Sequence, residues 1–166
     1  NSQLKKDEKV FKKITEGKYN TYLKKFCDQI KAMNRPVFIR FAHEMDNPAY
    51  PWSQTGNNTS EEFKAAWKFL HSFFLNEQVY QVIWVWNPWK HETIDAYFPG
   101  NQYVDWIGVT NLNYGPAYSG KWTSMSDIYA PYHQNKIFRS GLPVMLAEMG
   151  SNLSAGQQGE WFRLDF

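Results

Sequence analysis

The sequence predicts a parallel α/β fold, on three observations. Helix-like segments alternate with short apolar runs along the whole chain. The runs are apolar at consecutive positions rather than at every second one, as strands buried on both faces are. Polar residues able to do chemistry stand where those runs end, and in such folds the working residues cluster at the carboxyl ends of the strands.

The elements follow in order. The first helix-like segment, about 4–15, sets Leu4, Val10, Phe11 and Ile14 at roughly helical spacing before Gly17. Asn20 is a good cap for a second helix that runs to about Met33. Pro36 opens "PVFIRFAHE", whose first residues are β-branched or aromatic, as a buried strand's are. After the loop "NPAYPWSQTGNN", Thr59 with Glu62 three residues on forms a capping box, and the helix behind it places Phe63, Trp67, Leu70 and Phe74 on one side. "QVIWVWNPW" reads as the next strand, ended by Pro88; "ETIDAYF" is a short helix closed by Pro99-Gly100; "VDWIGVTNLNY" is a third strand. A long aromatic loop and a helix around 126–138 lead to "LPVMLAEMG", the fourth strand, with a last helical stretch from about 156. Glu44, Asn87, Asn111 and Glu148 all fall at or near strand ends.

Composition bounds the function. A chain of 166 residues with 43% hydrophobic and 20% charged side chains is globular and long enough for one core, so residues 1–166 read as a single domain. No apolar run approaches the roughly 18 residues of a membrane span. Net charge is +2, but residues 1–35 hold ten basic and four acidic side chains. That excess is spread around apolar helical positions, as on a solvated face, and no nucleic-acid partner is expected. The lone Cys27 sits among Tyr22, Leu23, Phe26 and Ile30, so it reads as an inert core thiol; it excludes an internal disulfide and a Cys-ligated zinc site. Aromatic residues make up 18%, with eight Trp, and several lie in loops, where Trp and Tyr stack on sugar rings. The chain begins at Asn1 without Met or a targeting run and reads as a piece of something longer.

The candidate chemistry narrows to carboxylates. A zinc protease motif needs a second His four residues after the first, whereas Asn47 holds that position after His43 and Pro48 follows; no metal site is expected. No Gly-x-Ser-x-Gly elbow occurs. Glu44 and Glu148 each end an apolar run, and a carboxylate there is costly unless paired or hydrogen-bonded. Arg40, on the same strand as Glu44, could satisfy either, which is the structural alternative. Two such glutamates on one rim instead suggest glycoside hydrolysis, which uses one carboxyl as nucleophile and another as acid and base in its retaining form. The loops Tyr50-Pro51-Trp52, Trp86-Asn87-Pro88-Trp89 and Tyr114 through Trp122 would supply sugar-stacking platforms, against the competing reading of each Trp as core.

"RFAHEMDNPAYPW", "VIWVWNPW", "YFPGNQYVDWIGV" and "LPVMLAEMGS" together resemble, in order and approximate spacing, the second half of glycoside hydrolase family 26, over about Gly17 to Ser151. The likeness is nearest to bacterial family-26-like domains associated with polysaccharide-synthesising glycosyltransferases. The resemblance implies a (β/α)8 TIM barrel, of which this chain is a fragment spanning about helix 3 to helix 7. It implies a retaining endo-β-glycosidase acting on β-mannan or β-1,3-1,4-glucan, with Glu44 as acid/base and Glu148 as nucleophile. It also implies His43 as a sugar-binding neighbour of the acid, Trp52 lining the cleft, no cofactor, an extracellular or cell-surface bacterial setting, and a glycosyltransferase as linked or associated partner. Arg40, Trp86, Trp89 and Tyr114 complete the candidate binding set. Two residues depart from the family pattern. Asp46 stands where typical members have Asn, and the aromatic that follows the sixth barrel strand falls near Leu112, with Tyr114 two residues later. These departures motivate the alternative of a non-catalytic glycan-binding or scaffold module.

Overall fold

The computed structural model describes residues 8–117, 121–152 and 158–162. Its sheet has four parallel strands in chain order, β1 (Val37–Ile39), β2 (Val82–Trp86), β3 (Trp106–Asn113) and β4 (Val144–Ser151). Helices α1 (Val10–Thr15) and α2 (Asn20–Met33) precede it; α3 (Ser60–Asn76), the short α4 (Ile94–Tyr97) and α5 (Met125–Gln134) make the crossovers, and α6 (Gln158–Trp161) follows β4. Parallel neighbours require such crossovers, because each strand must restart at the same end of the sheet.

Helix α3 shows how sequence becomes packing. Thr59 accepts from the Glu62 amide while the Glu62 carboxylate accepts from the Thr59 amide, so the capping box is complete. Behind it Phe63, Trp67, Leu70 and Phe74 are all buried. Phe63 meets Phe11 of α1 edge-on at 5.3 Å, Trp67 lies 5.7 Å from Trp84 of β2, and the Trp67 indole donates to the Tyr103 carbonyl at 2.8 Å. Burying each such ring contributes about 1.5–3 kcal/mol, so this helix fastens α1 to β2.

The sheet is curled. Three strand spacings of about 4.8 Å would separate β1 from β4 by roughly 14 Å in a flat sheet, beyond the reach of one side chain. Yet Arg40, one residue past β1, bonds both Ala147 and Glu148 of β4. Phe38 of β1 and Trp106 of β3 likewise meet, with ring centroids 6.4 Å apart. Side chains of alternate strands meet in this way inside a (β/α)8 barrel.

Several boundaries differ from the sequence expectations. The first helix starts at Val10, because Lys9 is left-handed (φ 56°) and cannot continue a helix; residues 1–7 of the expected segment lie outside the described ones. Asn20 is the first helical residue, with Tyr19 at the cap position. Helix α5 ends at Gln134, where Asn135 turns extended and its side chain accepts from the Ile137 amide; Ile137 and Phe138 still reach the core, which explains the helix-like spacing out to 138. Residues 153–157 and 163–166 of the expected last helix lie outside the described ones.

Candidate active site

The rim is built by the turn after β1. Only Val37 to Ile39 are strand; Arg40 to Asp46 turn instead, with Ala42 (φ 44°) and Glu44 (φ 51°) both left-handed. That conformation costs a residue with a Cβ about 1–2 kcal/mol. Hydrogen bonds offset it. The Glu44 amide donates to the Asn87 carbonyl at the end of β2 (2.7 Å), and the Glu44 carbonyl accepts from the Asn47 amide (2.8 Å). The Asn47 side chain donates to the Glu44 carboxylate at 2.7 Å, and its own oxygen accepts from the Ala49 amide. Glu44 is 5% exposed and is held in place by Asn47, whose position in the sequence speaks only against a zinc motif. An Asx turn before Pro48 was the available signal.

Glu148 is set by an irregularity in β4. Val109 pairs with Leu146 and Thr110 with Glu148, so Ala147 is an extra residue without a partner on β3. A bulge of this kind bends the strand and re-aims the side chains beside it. The Ala147 carbonyl accepts from Arg40 Nη1 (3.2 Å), and Arg40 Nη2 pairs with the Glu148 carboxylate at 2.5 Å. Arg40 is therefore bound to Glu148 rather than to Glu44.

His43 and Tyr50 lie within electrostatic reach of both glutamates. His43 Nε2 and the Tyr50 hydroxyl are 3.2 Å apart, Tyr50 stacks on Trp52 (4.5 Å, 9° between planes), and the Trp52 indole donates to the His43 carbonyl at 3.0 Å. Burial, then Arg40, push His43 below the usual imidazole range, against the opposing pull of Glu148 and Glu44. Burial, then Glu44 and Glu148, push the Tyr50 phenol above its usual range. Both carboxylates thus act on one His-Tyr pair. Tyr114, exposed at 51% just past β3, also acts on Tyr50, whereas Leu112 lies within β3.

The aromatic candidates separate. Trp52 and Trp89 are half-buried on the rim, Trp89 with Lys90 Nζ 4.5 Å over its ring. Trp86 corrects the sequence reading: it is fully buried, edge-on to Phe98 at 5.1 Å, and belongs to the core. Trp84, Val85 and Trp86 are buried in succession, as in a strand covered on both faces, so the last residue of β2 is not yet on the rim. In the loop from Tyr114 to Trp122, residues 118–120 lie outside the described ones.

Asp46 turns away from the glutamates. It accepts from the Trp89 amide (2.8 Å), the Lys90 amide (2.8 Å) and the Thr93 hydroxyl (2.5 Å). Cys27 is buried, and its thiol is pushed up to about 11, mainly by that burial. Among the described residues no three His, Cys, Asp or Glu side chains gather into a group that could hold a metal ion, and no helix is long and apolar enough to cross a membrane.

The sequence model of Glycosyl hydrolase family 26 matches residues 4–153. The chain belongs to that family. Its relatives include Endoglucanase H of Acetivibrio thermocellus, 25% identical over 89% of this chain and 17% of that protein, and a beta-1,3-xylanase of an Alcaligenes species, 23% identical over 75% and 26%. Among solved structures, a family 26 beta-mannanase from Bacteroides ovatus superposes with a TM-score of 0.66 at 16% identity, over 87% of this chain and 45% of that one. The four strands are thus part of a family 26 TIM barrel, and the chain spans less than half the length of each of these proteins.

Proposed function

We propose that this family 26 chain carries the catalytic centre of a retaining endo-β-glycosidase acting on a β-linked polysaccharide of the mannan or mixed-linkage glucan type. The observation that carries the reading is that the segment after β1 holds buried Glu44 and also sends Arg40 to Glu148, which brings two strand-end carboxylates to one rim beside His43 and Tyr50. The relatives, an endoglucanase, a beta-1,3-xylanase and a beta-mannanase, support a β-linked glycan as the substrate class.

In this mechanism Glu148, oriented by Arg40, attacks the anomeric carbon while Glu44 gives its proton to the departing glycosidic oxygen. Water then cleaves the glycosyl ester on Glu148, with Glu44 taking the water proton and returning to its starting state. Trp52, Trp89 and Tyr114 are the stacking surfaces, and His43 binds sugar beside the acid. Spending the Asp46 carboxylate on a neighbouring loop supports the enzymatic reading, because that departure from the family pattern leaves the two glutamates untouched.

Kinetics test the assignment. Glu148→Ala should abolish turnover of every substrate, whereas Glu44→Ala should spare aryl glycosides whose leaving groups need no proton. Parent-like activity in either variant, or calorimetric glycan binding by the parent with no reducing ends released, would sink it.

A further inference from the structure

The main chain of Trp89 is held on both sides. Its amide donates to Asp46 and its carbonyl accepts from the Tyr132 hydroxyl of α5, so neither backbone group is left to solvent. Asp46 also accepts from Lys90 and Thr93, which commits both carboxylate oxygens to one loop. At 7% exposure it is sealed from bulk water. Two residues earlier the Glu44 amide is bonded to the Asn87 carbonyl, so the acid-bearing turn is tied to the end of β2 at two levels.

We propose that Asp46 is a positioning residue: its carboxylate latches the turn that carries Glu44 to the loop that carries Trp89, so that acid and aromatic wall keep one spacing before substrate arrives. The substrate part of this inference rests on the glycosidase reading above. In this chain, unlike typical family members with Asn here, three donors converge on the two oxygens of a carboxylate. An amide of the same size has one acceptor oxygen, and its nitrogen would face the donors that the second oxygen now accepts. Asp46→Asn therefore breaks one side of the latch without changing volume.

Two readouts test the inference in the same chain. In hydrogen exchange, the Trp89 and Lys90 amides should be protected in the parent, and at least one of them should lose about tenfold of that protection in Asp46→Asn, the scale of a hydrogen bond to a charged group. In kinetics, KM for β-linked hexasaccharides that reach Trp89 should rise about tenfold with kcat little changed, while a 4-nitrophenyl β-disaccharide too short to reach it is handled as by the parent. A merely structural role would lower kcat for both substrates in proportion to the folded fraction. Thr93→Val, which removes one donor and leaves both amides, should show the same effects in weaker form if Asp46→Asn fails to fold. Unchanged protection of both amides, or equal losses on the two substrates, would overturn the latch. A parent without turnover counts against the glycosidase reading, and the exchange measurement then decides the latch alone.

Discussion

Arg40 reaches from the end of one edge strand to the other and meets Glu148 there. Replacing it by Met keeps the apolar stem and removes the guanidinium, leaving a carboxylate with its charge partner gone. The pair is partly solvated, so kcat/KM should fall about tenfold rather than collapse, measured on the same substrates as the glutamate variants. His43 offers a pH test. Its folded value lies below the unfolded one of about 6.5, so the unfolded chain binds this proton more tightly. Its contribution to stability is therefore complete above about pH 6.5 and is lost as pH falls through the folded value. His71, pushed down by burial, has the same sign. NMR titration of the two imidazoles should give midpoints below 6.5, and a midpoint above it for His43 would contradict the placement. At this scale the placement of the two glutamates at or near strand ends was legible, because a carboxylate closing an apolar run needs a reason. Trp86 was not, since a strand buried on both faces does not show in its sequence where the rim begins. Tyr50 was legible only as part of an aromatic loop, because its partner His43 is reached through a turn with two left-handed residues.

At the scale of elements, capping and crowding decide. Thr59→Ala removes one half of the box that starts α3 and should cost about 1 kcal/mol in denaturant unfolding. Gly108 of β3 has a different reason to be glycine. A Cβ there would meet Asn87 Cβ at 3.0 Å, and Val85 Cγ1 and Ala147 Cβ at 3.1 Å. Gly108→Val should therefore cost about 1–3 kcal/mol, and because the push falls on the bulged Ala147, catalytic loss should exceed the loss of folded protein. Helices α2 and α3 could be bounded from sequence because caps and apolar spacing agree. The three-residue β1 could not: Phe41 and Ala42 prolong the apolar run after the backbone has left the strand. The β4 bulge left no mark either, since one extra Ala in "VMLAEMG" alters no pattern.

For the whole molecule, alternation of helices with apolar strands was enough to read parallel α/β architecture, and four ordered motifs narrowed it to a barrel family. The curl that brings the edge strands together is a tertiary fact, visible only through contacts such as Arg40 with Glu148. The 166-residue chain also presents apolar surface: Phe38 is 53% exposed, and a cleft of about 380 Å³ beside β1 is lined by residues including Phe11, Leu23, Phe26, Ile39 and Phe74. Chain of these 166 residues alone should accordingly raise ANS fluorescence, with Phe38→Ser lowering the signal. The central claim is that two glutamates far apart in sequence form one double-displacement site, and trapping its intermediate tests it most directly. A 2-deoxy-2-fluoro β-glycoside with a good leaving group, followed by peptide mass spectrometry, should leave one glycosyl group on Glu148. A glycosyl group on any other residue, or steady turnover of natural substrate by protein that takes up no label, would contradict the account.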